Sequence, residues 1–344
     1  MQGTRCARWW VGCLTGIALL GLGSDALGTK YAGEFLAVGV SARAMGMGGA
    51  FVAAADDASA AYWNPAWLGF AESMSGLLEH QENFGGAVNY DDIGFILPQG
   101  SGDSRSAFAI LGLRLAVQEI PYLPLGSAPL KYDEDGDGEY DHGHDILDLD
   151  EIEATVRLKT YSESALFLSY GRQLGPGIAV GGTLKPIHKS FADGSCFGFG
   201  ADLGLLLRSK KGVSVGVSLQ DFFGTILSWS TGTRETITPN AHIGVAYDRV
   251  FPSIETRVLV AGQTDLRFEG RDYATQFRAG RTSADFRMGL ECIWRELLAL
   301  RLGSSEGDLA AGAGFGIRGY WVDYAFLGHE YLDNSHRVSV RARF

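Results

Sequence analysis

An acidic stretch in the middle of the chain has the residue types and the spacing best suited to a chemical task. Its ligand candidates alternate with other residues: Asp133, Asp135, Asp137, Glu139 and Asp141. Alternate carboxylates can converge on one hard cation, Gly138 permits a sharp turn, and Glu139 can contribute its backbone carbonyl. The pattern D-x-D-x-D-G-x-x-D therefore predicts a calcium site.

Two alternatives to calcium stay open for this stretch. The twelfth position is His144 rather than the bidentate glutamate of a complete calcium loop, although Asp145 could substitute for it. His142, His144 and Asp145 could instead hold zinc, but they lack the further soft ligands of a closed zinc site. Without any cation, the eleven acidic side chains and one lysine of residues 131–153 would repel one another and form a solvated loop.

The first 28 residues predict a cleaved export signal. Arg5 and Arg8 precede an apolar core at 9–23, and the small residues at 26–28 suit a signal peptidase. Removing Arg5, Arg8 and Asp25, which together carry a net charge of +1, changes the net charge from −11 to −12. This acidic balance argues against a nucleic-acid partner.

From about residue 75 onward, segments of roughly ten residues with alternating hydrophobicity are separated by Gly, Asp, Asn and Ser turns. In one segment, Cys292 lies on an apolar face with Phe286 and Leu290, opposite Arg287 and Glu291. The alternation predicts strands with approximate centres at residues 78, 91, 112, 167, 183, 203, 216, 244, 259, 277, 289, 301, 313 and 323, with a last strand at 340 that would make fifteen. Because bacterial membrane barrels have an even number of strands, we predict fourteen.

Strands with one apolar and one polar face fit either a soluble sandwich or a membrane barrel. In lipid, every backbone amide and carbonyl must be paired, so an alternating sheet can span a membrane only if it closes. The export signal, the short connections and the terminal Phe344 favour closure. Residues 71–344 are therefore predicted to form an all-β transmembrane antiparallel barrel in the lipid of the bacterial cell outer membrane.

Residues 29–70 differ in composition from the predicted strands. Small residues dominate, and Asp56, Asp57 and Ser59 are available as helix caps in an alanine-rich stretch. We expect one or two short helices able to pack closely; that they form a small hatch inside the barrel lumen is what the resemblance described next implies.

Both ends of the mature chain resemble one family. Residues 41–51, 55–58 and 62–66 look like the amino-terminal signature of the FadL-like and PorV/PorQ outer-membrane barrels, and residues 323–326 and 334–344 are similar to their closing hairpin. The resemblance implies a fourteen-stranded barrel whose hatch includes Asn64, Pro65 and Ala66. It also implies that the barrel assembly machinery engages the last strand, which ends in Phe344. Where the family usually has Gly-Leu this chain has Trp67-Leu68, so a left-handed turn is not assumed there.

The resemblance implies two functions. The first, favoured by the amino-terminal residues, is a barrel associated with type IX secretion that engages secreted proteins. The alternative is a channel for uptake of long-chain fatty acids or other hydrophobic small molecules, gated by the hatch. A packing plug with no role in transport is a third possibility for the hatch. The acidic connection at 119–158, extracellular if the termini are periplasmic, could cover a ligand site or meet a partner protein.

No other group of residues predicts catalysis. The sequence has no zinc-protease helix, no nucleophile elbow and no recognisable Ser-His-Asp grouping, so we predict that the protein is not an enzyme. His188, His242 and His336 stand alone on predicted strands, where hydrogen bonding in the lumen is a more common role than catalysis.

Overall fold

A closed antiparallel barrel dominates the computed structural model, which describes residues 32–83, 86–123, 130–132, 134, 146–192, 194–270, 275–328 and 334–344. Within these residues the barrel wall has fourteen strands, which we number along the chain: β1 (Ser75–Asn83), β2 (Val88–Gln99), β3 (Ser106–Tyr122), β4 (Arg157–Gly175), β5 (Ile178–Phe191), β6 (Gly194–Arg208), β7 (Val213–Gln220), β8 (Asn240–Phe251), β9 (Thr256–Arg267), β10 (Thr282–Trp294), β11 (Leu298–Ser305), β12 (Asp308–Ile317), β13 (Tyr320–Leu327) and β14 (Ser335–Arg343).

Each wall strand pairs with the next, and the last pairs with the first. Gly76 of β1 lies opposite Ala342 of β14 on one side and Phe95 of β2 on the other. This closure pairs the backbone of both outer strands and leaves no exposed sheet edge. The predicted all-β fold with fourteen strands is confirmed.

The two faces of the wall have opposite polarity. In β10, Phe286 and Met288 face outward and are 44% and 64% exposed, whereas Asp285 and Glu291 face the lumen and are fully buried. A soluble sandwich would bury the apolar face instead. An apolar outer belt around a polar interior is the arrangement that lipid requires, so this is a transmembrane barrel of the bacterial outer-membrane type.

The two ends of the barrel differ in the length of their connections. At the end that holds residue 75 and the carboxyl terminus, the connections are short, such as 176–177 between β4 and β5. The long connections 123–156, 221–239 and 268–281 all lie at the opposite end, which we call the far end. Short turns face the periplasm in such barrels, so the far end is the extracellular one.

Among the described residues, five shorter strands lie outside the wall. Leu130–Tyr132 pairs with Ile146–Leu147, and helix α3 (Leu149–Thr155) follows. Thr225–Trp229 pairs with the far-end half of β6 and with Arg234–Ile237. Phe277–Ala279 pairs with the first residues of β10. Two single-turn helices, Gly102–Ser104 and Pro252–Ile254, lie in short connections.

The strand predicted at residue 277 is therefore wrong as a wall strand, and the strand at 340 takes its place. Phe277–Ala279 folds back on β10 through a tight turn in which Gly280 has a φ of +63°, so it forms a local hairpin. The predicted number of wall strands was right because the strand wrongly predicted at residue 277 offset the strand at 340, which had been left out of the fourteen.

Residues 32–74 fold inside the barrel and form the hatch. They contain a 3-10 helix (Glu34–Leu36), helices α1 (Ala42–Gly46) and α2 (Ala60–Trp63), and a second 3-10 helix (Pro65–Phe70). Among the described residues, no helix is long and apolar enough to cross a bilayer.

Cys196 and Cys292, the two cysteines of the described residues, are both free. Cys292 shares the outward face of β10, as predicted, while Cys196 is buried on β6.

Candidate functional site: the hatch and the lumen cavity

Asn64, Pro65 and Ala66 join the hatch to the wall. The Asn64 side chain is fully buried, and its amide nitrogen donates to the carbonyls of Val52 (3.0 Å) and Leu205 of β6 (3.1 Å). Its amide oxygen accepts a hydrogen bond from the Ala66 backbone N–H (3.1 Å), which caps the helix that starts at Pro65. One side chain therefore holds two hatch segments and one wall strand together.

The substitution of Trp67 for the family's usual glycine has no backbone consequence. Trp67 lies within the 3-10 helix Pro65–Phe70 and has no positive φ. A left-handed turn is not used at this position, so a bulky residue is tolerated.

The hatch backbone packs directly against inward-facing glycines of the wall. A Cβ added at Gly181 would lie 2.4 Å from the Pro65 carbonyl, and one at Gly216 would lie 2.4 Å from the Val52 oxygen. On the opposite side of the barrel, a Cβ at Gly303 would lie 2.3 Å from the Met47 carbonyl carbon. The hatch and wall backbones thus approach too closely for any side chain larger than hydrogen.

Arg43 of α1 is the centre of the charged contacts between hatch and wall. This buried guanidinium donates to both carboxylate oxygens of Glu291 on β10 (2.7 and 2.8 Å) and also pairs with Asp56. Glu291 in turn pairs with Arg301 of β11 at 2.6 Å. Burial opposes ionisation of Asp56, but the attraction of Arg43, supported by Arg257, holds the pKa of Asp56 below its ordinary value.

Backbone groups of the hatch are also satisfied by wall side chains. The Gln263 amide oxygen accepts hydrogen bonds from the N–H groups of Phe51 (3.0 Å) and Val52 (2.9 Å). On the other side, Arg337 of β14 donates to the carbonyls of Gly39 (2.9 Å) and Val38 (2.6 Å). These groups would otherwise be buried without partners, so the wall stabilises irregular hatch structure.

A cavity of about 830 Å³ lies between the hatch and the short-turn end of the barrel. Hatch residues 53–56, Trp67 and Phe70 line it together with Leu206 and Leu259 of the wall. Arg208 also lines it, with its guanidinium 5.2 Å from the Phe70 ring centroid. On the other side of the hatch, a space of only about 50 Å³ lies beside Tyr62 and Trp63. The larger of these two spaces, which is amphipathic, therefore lies on the short-turn side of the hatch.

The predicted metal ligands Asp133, Asp135, Asp137, Glu139 and Asp141 lie outside the described residues, as do His142, His144 and Asp145. In the part of the chain that is described, no three or more His, Cys, Asp or Glu side chains form a metal-binding group. Calcium binding by the acidic connection stays a prediction.

Of the three histidines predicted to face the lumen, one does so. His242 is hydrogen-bonded to Asp265 (2.6 Å) and Gln220 (3.2 Å) in the lumen. For His188 and His336 the prediction is wrong, because both occupy outward positions of their strands. The strand alternation itself carried this information, because His188 shares a strand face with Leu184 and His336 shares one with Val338.

Arg43, Gln263 and the inward glycines were not predicted as site residues. The signal for the glycines was present, because Gly181, Gly216 and Gly303 all occupy lumen-facing positions in alternating segments. No comparable signal exists for Arg43 or Gln263, whose partners are more than 200 residues away in sequence.

No family model matches the sequence, and no curated protein matches it significantly. Solved structures do match. The Ralstonia pickettii toluene transporter TbuX aligns with a TM-score of 0.55 and 13% identity over 89% of this chain and 98% of its own. The CymD monoaromatic hydrocarbon channel aligns with a TM-score of 0.54 and 12% identity over 89% and 98%. A Pseudomonas aeruginosa FadL homologue aligns with a TM-score of 0.50 and 10% identity over 87% and 96%.

This likeness defines the class of protein. The chain has the FadL-like fold, an outer-membrane barrel of fourteen strands with an amino-terminal segment inside the lumen. At such low identity the likeness concerns the fold alone. The more specific resemblance to PorV and PorQ stays a prediction.

Proposed function

We propose that the protein is an outer-membrane channel for hydrophobic small molecules, closed by its hatch. The observation that carries this proposal is the cavity of about 830 Å³, which is bounded by the hatch on one side and by the short-turn end on the other. Concave sites of this size are typical of small-molecule binding, and this one is amphipathic, with apolar residues such as Leu206 and Phe70 beside charged residues such as Arg208 and Arg257. The structural neighbours described as a toluene transporter, a hydrocarbon channel and a FadL homologue support the same class of cargo.

The polar side of the cavity indicates that the cargo includes carboxylates with long apolar chains. Arg105 is paired with Glu72 and Arg257 with Asp248, so both of these cations are occupied. Arg208 has no carboxylate partner among the described residues, although its guanidinium stacks on Phe70. A fatty-acid carboxylate at Arg208 with its chain along Trp67 and Leu206 would use both the charge and the apolar surface.

Passage through this lumen requires the hatch to move. Tyr62 and Trp63 lie between the cavity and the far side, and both are buried. The hatch is bound to the wall by polar contacts and by a shared apolar core that includes Phe51 of the hatch and Phe167 of the wall. A shift of one hatch segment would break fewer of these contacts than release of the whole hatch would. We therefore propose that a local shift of the hatch opens the path, and that Asn64, Pro65 and Ala66 belong to the segment that is anchored to the wall.

The export function predicted first has no support among the structural neighbours. A role in type IX secretion, with a secreted protein as partner, stays a prediction that rests on the amino-terminal resemblance. That the protein is not an enzyme also stays a prediction, and the three neighbours are described as a transporter, a channel and a homologue of FadL rather than as enzymes.

A disulfide between hatch and wall would test whether the hatch gates transport. A Cβ built at Gly94 lies 3.3 Å from the Ala58 Cβ, close to the separation of about 3.5–4.5 Å found in disulfides. The variant Ala58→Cys/Gly94→Cys, with Cys196→Ser and Cys292→Ser, would be expressed in Gram-negative cells that lack a hydrophobic channel. Uptake of radiolabelled palmitate and toluene by whole cells would then be measured.

We expect oxidation to reduce uptake to that of cells without the protein and dithiothreitol to restore it. Each single-cysteine variant should transport in both conditions. Undiminished uptake with a fully formed disulfide would contradict hatch gating. No uptake of either compound by the wild-type protein would contradict the function itself.

A substitution at Arg208 would test the carboxylate part of the proposal. Arg208→Met should lower palmitate uptake about tenfold, as expected for the loss of one charge-assisted hydrogen bond. Toluene uptake should not change, because toluene has no charge. Equal palmitate uptake by the variant and the wild type would rule out this position as the carboxylate site.

A further inference from the structure

One sector of the otherwise apolar outer wall carries polar side chains. Near the far ends of β9 and β10, the outward residues carry no charge and include Leu266, Ala284 and Phe286. On β1 to β5, outward positions towards the same end are instead polar: His80, Glu82, Asp91, Arg114, Ser164 and His188. The difference between the two sides shows that the polar residues are not a ring that surrounds the whole barrel.

Five of these residues form one continuous row across the wall. His80 lies opposite Asp91, and Asp91 lies opposite Arg114. Arg114 lies opposite Ser164, which in turn lies opposite His188. Directly opposed residues in antiparallel strands have Cβ atoms about 4.5–5.5 Å apart, so the row is a single polar surface.

A depression of about 890 Å³ in the outer face lies along this row. Its apolar lining includes Leu78, Ile93 and Val340. Leu78 lies opposite both Ile93 and Val340, at the next outward position from the polar row towards the short-turn end. Leu78 is 55% exposed and Ile93 is 63% exposed. The surface of the depression is mainly apolar, and the side chains of the polar row line it towards its extracellular end, which is the order in which an outer-leaflet lipid presents its chains and head group.

The charges of the row leave one cation without a partner. His80 is hydrogen-bonded to Asp91 at 2.7 Å, which occupies the carboxylate nearest to Arg114. Arg114 has no ion pair with any residue of the described chain. An arginine on the lipid face is unfavourable at the membrane centre and nearly neutral at the interface, so an anionic partner would offset what remains of this cost.

We propose that this sector is a binding site for a phosphorylated glycolipid of the outer leaflet. The acyl chains lie against Leu78, Ile93 and Val340, and a phosphate accepts hydrogen bonds from Arg114, whose fork of N–H donors matches phosphate geometry. His188, on the same row, lies at the edge of the head group. The site is on the opposite side of the wall from the hatch, so it does not depend on the transport function.

Native mass spectrometry of the intact purified barrel in detergent, with lipid A as the probe, would test the site. We expect one lipid A to bind the wild-type protein. Arg114→Leu should weaken binding about tenfold, the loss expected for one charge-assisted contact. Arg172→Leu is the matched control, because Arg172 also faces outward on a wall strand but lies near the short-turn end. Its affinity should equal that of the wild type.

Both variants replace an outward cation by an apolar residue and should keep the heat-modifiable gel migration of a folded barrel. Lipid A from which the phosphates have been removed should bind as weakly to the wild type as intact lipid A binds to Arg114→Leu. Equal affinity of Arg114→Leu and wild type, or equal binding of phosphatidylglycerol, would overturn the proposal. A dimer that Arg114→Leu abolishes would also overturn it, by assigning the sector to a second copy of the chain.

Discussion

At the scale of single residues, several positions in the lumen tolerate no substitution that changes the size or the charge of the side chain. Arg43 and Glu291 form a buried ion pair, and Arg43 also pairs with Asp56, which is partly exposed at the cavity. Buried ion pairs give little net stability, but removal of one partner leaves an uncompensated charge. The inward glycines tolerate no larger residue because a side chain would overlap the hatch backbone. The hatch is therefore more sensitive to substitutions at these positions than a surface loop would be.

Arg43→Met should loosen the hatch while the wall stays intact. We expect a loss of roughly 2–3 kcal/mol in the stability of the hatch, because Glu291 retains Arg301 but Asp56 keeps only Arg257. Hydrogen–deuterium exchange should rise in residues 32–74 and remain unchanged in β12 and β13. The double variant Arg43→Met/Glu291→Gln should recover part of the protection. Exchange as slow as in the wild type would show that this network does not hold the hatch.

Gly303→Ala should displace the hatch by steric conflict alone. The new Cβ would lie 2.3 Å from the Met47 carbonyl carbon and the Gly48 nitrogen, and overpacking of this kind costs about 1–3 kcal/mol. Gly262→Ala is the control, since a Cβ there has no neighbour within 4 Å. Limited proteolysis should cleave the hatch faster in Gly303→Ala only. Equal cleavage of both variants would contradict the close approach of the two backbones.

At the scale of elements, the hatch helices depend on their surroundings. Helices α1 and α2 have five and four residues, far fewer than an isolated helix needs in water. Their stability comes from the wall, through contacts such as Arg43 of α1 with Glu291 at 2.7 Å and Gln220 with the Tyr62 carbonyl of α2 at 3.0 Å. The alanine-rich composition allowed short helices to be predicted, but not their positions within 42–63.

The acidic connection is the element for which a metal dependence is expected. If Asp133, Asp135, Asp137 and their neighbours bind calcium, the ion neutralises their repulsion and orders the connection. Asp135→Ala/Asp137→Ala should then be cleaved by protease in the presence of calcium as quickly as the wild type is with a chelator. Identical cleavage of wild type with and without chelator would show that calcium does not order this connection.

At the scale of the whole molecule, closure joins the two ends of a long chain. The Phe344 N–H donates to the Met74 carbonyl (2.9 Å), beside the β1–β14 pairing, and its ring meets Tyr320 edge to face at 6.2 Å. These contacts involve one exposed residue and contribute modestly to stability. A requirement for Phe344 that exceeds this contribution would have to arise from recognition during assembly.

Deletion of Phe344 should therefore lower the amount of barrel assembled in cells without lowering the stability of the folded barrel to the same extent. We expect a several-fold fall in folded protein in the outer membrane of living cells, and nearly unchanged refolding yield in detergent. Heat-modifiable gel migration measures the folded fraction in both experiments. An equal fall in both yields would assign the effect to barrel stability, whereas no fall in cells would show that the assembly machinery does not require this residue.

Much of the architecture was determined by the sequence alone, because strand alternation is a local property. Each segment such as 286–294 shows which side chains share a face, and closure follows from the need to pair backbone groups in lipid. The lumen position of the hatch was available only through family resemblance.

The tertiary structure alone decided which long-range partners meet. Arg43 reaches Glu291 and Phe51 reaches Gln263 across more than 200 residues, and no local pattern encodes such pairs. The same holds for the row from His80 to His188, which exists only because strand register brings five separate segments to one level. Register depends on every turn and bulge between the segments, so it is a property of the folded barrel rather than of any one stretch of chain.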